Sequence, residues 1–177
     1  VPEAMSSDLV ALLIDELEID TEDVSRHATF IDLTALNQFA NLNIAQLRHA
    51  SWPPLTAGRL QAVEEGEKSI FAVIRERQLL VHHPHESFST SVETFVKQAA
   101  LDPNVQSIKM TLYRTSGDSS IAMHLIKAAE MGKQVAVVLE LKARFDEARN
   151  VSWAKELEYA GVHVTYGIVG LKTHAKC

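Results

Sequence analysis

His174 and Lys176 stand two residues apart in the stretch Gly170-Leu171-Lys172-Thr173-His174-Ala175-Lys176-Cys177, just after a strand-like run. On a strand, period-two alternation points both side chains to one face. An imidazole beside an ammonium suits attack on phosphorus: one group displaces and the other neutralises phosphate oxygens. Two arginines fit the same chemistry. Arg114 follows the predicted strand 107–113, and Arg144 follows the predicted strand 134–141. Arg114 to Arg144 and Arg144 to His174 are each thirty residues, about one βα unit. Ligands of open α/β sheets sit beyond the carboxyl ends of the strands, so the spacing predicts that the three residues converge on one crevice. Guanidiniums are planar, permanently charged forks matched to phosphate oxygens. A neutral imidazole between them can attack phosphorus and become phosphohistidine. Taken singly, each arginine reads first as a surface salt-bridge partner and the histidine as a surface or structural residue; the joint pattern is what points to chemistry.

The elements that must position these residues are legible from residue 69 onward. A short helix at 69–75 leads into a predicted strand at 78–81. Thr90 and Glu93 suggest a capping box for a helix at 90–100, with Val92, Phe95, Val96 and Ala99 on one stripe. Asp102-Pro103 ends it. The strand 107–113 precedes a helix at 119–131, with Ala122, Leu125, Ile126 and Ala129 inward and Gly132 just past its end. Residues 134–141 form a nearly continuous apolar run, which predicts a strand covered on both faces. A helix at 146–160, stopped by Gly161, leads to a strand at 162–166, and 173–177 starts another. This alternation predicts an α/β fold with a mostly parallel sheet and flanking helices. Residues 1–60 read differently. They hold a helix at 8–17, a second short helix capped by Asp32, and the breaker Pro53-Pro54. They offer few buried faces and read as a small helical remnant of another domain.

Composition narrows the function classes. The chain has 177 residues, 46% hydrophobic and 23% charged, as in ordinary globular domains. Residues 1–76 carry five basic against thirteen acidic side chains, and residues 77–177 carry twelve against ten. The net charge of −6 argues against general nucleic-acid binding, while the second half can hold a local anion site. No transmembrane segment and no signal peptide are expected. The single cysteine, Cys177, excludes an internal disulfide and a cysteine-based zinc site, so a cytoplasmic location is expected. His82, His83 and His85 lack carboxylate or cysteine partners at ligand spacing and are read as surface residues, as is His124. Asp146 and Glu147 favour a helix N-terminus, with pairing to Arg144 as a second role. Gly167 and Gly170 flank a turn before His174. The chain lacks an initiator methionine and stops within a predicted strand, so a fragment is expected.

Several stretches together resemble bacterial polyphosphate kinase of the first type. They are His82-His83-Pro84-His85-Glu86-Ser87-Phe88; Ile108-Lys109-Met110-Thr111-Leu112-Tyr113-Arg114; Ala143-Arg144-Phe145-Asp146-Glu147; and Ala160-Gly161-Val162-His163-Val164 through Gly170-Leu171-Lys172-Thr173-His174-Ala175-Lys176. The resemblance implies phospholipase-D-like catalytic domains. It makes 69–177 the beginning of the first C-terminal catalytic domain and 1–68 the tail of the domain before it. It implies reversible transfer of the terminal phosphate of ATP to inorganic polyphosphate through a phosphohistidine at His174. Arg114 and Arg144 then occupy the family's phosphate and magnesium positions. A guanidinium has no lone pair for a cation, so Mg2+ is expected to be held through bound phosphate. Lys176 would neutralise developing charge, and the loop 82–88 would border the polyphosphate channel. The implied partners are ATP/ADP and polyphosphate, with a homo-oligomer when full length. Catalysis needs preorganised groups, so the 177 residues alone are expected to show little or no kinase activity. ATP synthesis from polyphosphate by this piece would contradict that. Two other functions fit His-x-Lys: a phospholipase-D-like phosphodiesterase, and a non-catalytic polyphosphate- or nucleotide-binding module. Paired arginines favour a polyanionic substrate over a diester.

Overall fold

The computed structural model describes residues 1–29, 32–113, 119–141, 147–167 and 170–177. The chain divides into two compact units, Val1–Ser51 and Trp52–Cys177. In the first, helix α1 (Ser7–Leu17) starts at Ser6, whose hydroxyl accepts the Leu9 N–H at 3.3 Å. Asp32 accepts the Thr34 N–H at 3.1 Å and opens a 3-10 turn, Leu33–Leu36, that runs into helix α2 (Asn37–Ala40). Among the described residues of this unit only Val10 is buried, whereas Phe39 is 69% and Leu47 79% exposed.

The second unit begins with a helical cluster. Helices α3 (Gln61–Glu64) and α4 (Ile70–Glu76) bury Leu60, Val63, Ile70 and Val73 together with Ala57. Ser69 caps α4 by accepting the Phe71 N–H at 3.1 Å. No strand forms at 78–81. The Arg59 guanidinium instead donates to the carbonyls of Val73 and Gln78, both at 2.8 Å, and of Arg77 at 3.3 Å. Leu79 and Val81 then pack against the helical cluster rather than joining the sheet.

Helix α5 (Thr94–Leu101) is preceded by a π-helical turn, Ser89–Glu93. The expected Thr90–Glu93 box is replaced there by Ser87, whose hydroxyl accepts the Thr90 N–H at 3.3 Å. Val96, Ala99 and Ala100 face inward, while Phe95 stays 40% exposed.

Strand β1 (Ser107–Leu112), helix α6 (Ser120–Glu130), strand β2 (Gln134–Leu139), helix α7 (Glu147–Tyr159) and strand β3 (His163–Thr165) follow. The strands form a parallel sheet in the order β1-β2-β3, with Ser107 opposite Gln134 and Ala136 opposite His163. Right-handed crossovers between sequential neighbours place α6 and α7 on the same face. One core joins that face to the helices: Leu112, Val135, Val137 and Leu139 pack with Val96, Leu125, Ala128, Ala154 and Leu157. Burying each leucine contributes about 1.5–3 kcal/mol relative to leaving it in water.

Three details differ from the sequence expectation. Residues Val135, Val137 and Leu139 are buried, but Ala136 and Val138 are only partly so, because the described helices cover one face. The buried stripe of α6 is Ile121, Ala122, Leu125 and Ala128, with Ile126 and Ala129 at its margin. Residues 173–177 do not complete a strand, although they hydrogen-bond to β1 as described below. Gly132 and Gly161 end α6 and α7 at φ of 81° and 84°, a left-handed conformation that few other residues adopt.

His124, on α6, carries a pH-dependent consequence. Burial pushes its imidazole below the ordinary value, and the Lys97 ammonium adds to this against an opposing Glu93. The folded state therefore binds this proton less readily than the unfolded chain. Its stabilising share is full above the ordinary imidazole range and is lost as pH falls through it. His124→Gln is expected to lose less thermal stability than wild type between about pH 7 and about pH 5, measured by paired melts. Parallel losses in the two proteins would contradict this.

Candidate active site

The site is built at the carboxyl ends of β1 and β2. Past the last strand pair, the Glu140 N–H still reaches the Leu112 carbonyl at 2.9 Å. The next carbonyls are joined from α7. Asn150 is fully buried, and its side-chain amide donates to the Tyr113 carbonyl at 3.0 Å and the Glu140 carbonyl at 2.8 Å. Asn150 shares the buried stripe of its helix with Trp153, Ala154 and Leu157, the spacing of one helical face. It thereby ties together the roots of both strand-end loops.

Arg114 directly follows Tyr113, and Arg144 lies four residues beyond Glu140. Both arginines, with Asp146, lie outside the described residues. In sequence they follow the two carbonyls, of Tyr113 and Glu140, to which Asn150 donates.

His174 and Lys176 do meet at this end of the sheet. The His174 ring stands edge-on to Tyr113, with centroids 5.1 Å apart and planes at 81°. Lys176 Nζ lies 4.2 Å from the Tyr113 ring centroid and donates to the His174 carbonyl at 2.5 Å. Lys172 Nζ stands 5.4 Å from the same centroid. The two predicted residues thus share one side through a common aromatic post, not through strand alternation. A cation above an aromatic face is attracted by the ring's quadrupole, so Tyr113 gathers positive charge around His174. His174 and Lys176 remain open to solvent.

The segment carrying them is tied at both flanks. Upstream, the Thr173 N–H donates to Glu140 Oε2 at 2.8 Å. Downstream, the Thr111 N–H donates to the Cys177 carbonyl at 2.7 Å, the Thr111 hydroxyl to the Ala175 carbonyl at 2.9 Å, and the Cys177 N–H to the Thr111 hydroxyl at 2.8 Å. Leu112 hydrogen-bonds toward β2, so Thr111, one residue earlier, faces the other edge of β1. Gly167 lies upstream of this segment in a left-handed conformation. Its φ is 73°, and a Cβ there would stand 2.9 Å from the Thr173 hydroxyl oxygen.

The histidines at 82–85 are engaged in their own loop. The His82 N–H donates to the Glu86 carboxylate at 2.6 Å, and His83 Nδ1 lies 3.0 Å from the Glu86 carbonyl oxygen. The rings of His82 and His85 meet edge to face at 5.0 Å, and His83 stands 5.4 Å from Phe88.

Sequence reasoning missed Tyr113, Glu140 and Asn150 as members of the site. Their signals were an aromatic immediately before Arg114, a lone carboxylate closing an apolar strand, and an amide on the buried stripe of a helix.

Comparison with known proteins identifies the family. The family model described as "Polyphosphate kinase C-terminal domain 1" matches residues 69–177. Polyphosphate kinases of Mycobacterium avium and Mycobacterium marinum are 51% and 52% identical over 176 residues, covering 99% of this chain and 24% of each relative. The chain thus spans about a quarter of the length of these relatives. The crystal structure of polyphosphate kinase from Porphyromonas gingivalis superposes with a TM-score of 0.72 at 30% identity, over 99% of this chain and 26% of that one. The expected phospholipase-D-like α/β class stands. A parallel sheet with His-x-Lys at its carboxyl end, and a family match running through all four motif stretches to residue 177, establish that this chain belongs to the polyphosphate kinase family.

Proposed function

We propose that the protein containing this chain is an ATP:polyphosphate phosphotransferase and that His174 is its phosphate acceptor. The observation that carries the reading is the gathering of His174, Lys176 and Lys172 around Tyr113, at the ends of the strands that lead to Arg114 and Arg144. In the forward step a neutral imidazole nitrogen attacks the terminal phosphorus of ATP. An N–P bond forms, the P–O bond to ADP breaks, and ADP leaves with that electron pair. A terminal oxygen of polyphosphate then attacks the same phosphorus and the N–P bond breaks. The edge-on contact with Tyr113 limits how far the imidazole can turn. Lys176 reaches the transferring phosphate by releasing the His174 carbonyl, which its flexible four-carbon stem permits. Arg114 and Arg144 hold phosphate oxygens as forks.

Mg2+ fits this site indirectly. Arginines and lysines offer a cation no lone pair, and among the described residues no three His, Cys, Asp or Glu side chains stand together as ligands. Magnesium would be held by phosphate oxygens, where it offsets charge on the polyanion.

In this reading residues 69–177 begin the first C-terminal catalytic domain and 1–68 end the preceding one. The full-length protein works as a cytoplasmic homo-oligomer on ATP/ADP and polyphosphate. No helix among the described residues is long and apolar enough to cross a membrane. The test is incubation of the full-length protein with ATP labelled in its terminal phosphate. Acid-labile, base-stable label recovered on the peptide containing His174 is expected. Label on another residue, or none, would overturn the assignment.

A further inference from the structure

We infer that Glu140 is a positioning residue for His174, an inference that rests on the phosphate-acceptor reading above. Glu140 directly follows the apolar strand β2 and is only 9% exposed. A carboxylate at such a place is costly unless hydrogen-bonded. Its Oε2 accepts the Thr173 N–H at 2.8 Å, one residue before the imidazole. Its own backbone is fixed in turn, because Asn150 donates to the Glu140 carbonyl at 2.8 Å and to the Tyr113 carbonyl at 3.0 Å.

The histidine therefore sits on a short span held at two points. Thr111 holds the downstream side at Ala175 and Cys177. Glu140 holds the upstream side at Thr173. Releasing Thr173 would free the peptide plane on which the His174 ring stands against Tyr113. Ring placement, rather than phosphate affinity, would then suffer. Small misplacements of a reacting group cost about 100-fold in rate. Glu140 is assigned its effect on the imidazole through the Thr173 amide.

The test compares Glu140→Met, Glu140→Asp and Glu140→Gln in the full-length protein. Methionine removes the acceptor, aspartate draws the carboxylate back by one methylene, and glutamine keeps an acceptor oxygen without the charge. Single-turnover labelling of His174 at saturating ATP is expected to slow about 10–100-fold in the Met and Asp variants, with the KM for ATP within about twofold of wild type. Glutamine is expected to restore most of the rate. Hydrogen exchange of the peptide spanning 171–177 is expected to speed up in the Met and Asp variants and not in the Gln variant. Wild-type labelling and exchange in Glu140→Met would overturn the inference, as would a Gln variant as impaired as Met. If Met does not accumulate folded, the Asp and Gln pair decides on the same readouts. Absence of label at His174 in the wild type would fail the phosphate-acceptor reading instead. Exchange at 171–177 would then decide whether Glu140 holds this segment.

Discussion

His174→Ala in the full-length protein is expected to abolish acid-labile phosphate incorporation from ATP. Turnover should fall by about 10⁴–10⁶-fold, the scale seen when a covalent nucleophile is removed. No described neighbour can take over. The described cations beside Tyr113 are Lys172 and Lys176, and an ammonium has no free electron pair for phosphorus. Lys176→Ala should differ in kind. It removes charge compensation but leaves the nucleophile, so label should still appear at His174, at a rate lower by about 10²–10³-fold. Label at undiminished rate in the alanine variant at 174 would remove His174 from the reaction. Equal and complete loss in both variants would assign the lysine a larger part than charge compensation.

Asn150→Leu carries the largest expected effect on stability. The substitution keeps the number and branching of side-chain heavy atoms, so it removes the hydrogen bonds with little change of shape, and the bulkier methyl groups add an overpacking cost of the same sign. It deletes the donor that serves both the Tyr113 and Glu140 carbonyls within a buried region. Losing bonds to buried acceptors costs about 1–3 kcal/mol per group, so about 2–4 kcal/mol is expected for the pair, allowing some relaxation. The measurement is the shift in urea midpoint at constant slope. Asn150→Asp should be no better, since a carboxylate offers the two carbonyls no N–H. A loss below about 1 kcal/mol would mean that the strand ends are held by other means.

Parts of this architecture were legible because the signals were local. Ser69 and Asp32 announced helix starts through their own side chains. The apolar runs at 107–113 and 134–141 gave two strands of the sheet, and Gly132 and Gly161 marked where helices end. Where partners are distant, the pattern misled. Residues 78–81 have a strand's texture, but Arg59, about twenty residues earlier in sequence, takes the carbonyl of Gln78. The role of Glu140 depends on Thr173, 33 residues later. No periodicity encodes that pairing. The thirty-residue spacing of Arg114, Arg144 and His174 predicts the carboxyl end of the sheet, and of the three His174 is described, beside Tyr113. It could not show that Tyr113 would be the ring on which His174 and Lys176 meet.

The edge contact at Thr111 has a consequence in time. Its partners, Ala175 and Cys177, lie 64 and 66 residues later in the chain. Contacts of such long sequence separation form slowly, because loop-closure entropy is paid before they reward it. During synthesis the strand bearing Thr111 emerges long before the histidine segment that will rest on its edge. Among the described elements, β1-α6-β2-α7-β3 can therefore assemble before His174 comes to rest beside Tyr113. A folding intermediate in which that contact is still open would have the core of the sheet in place and His174 unplaced.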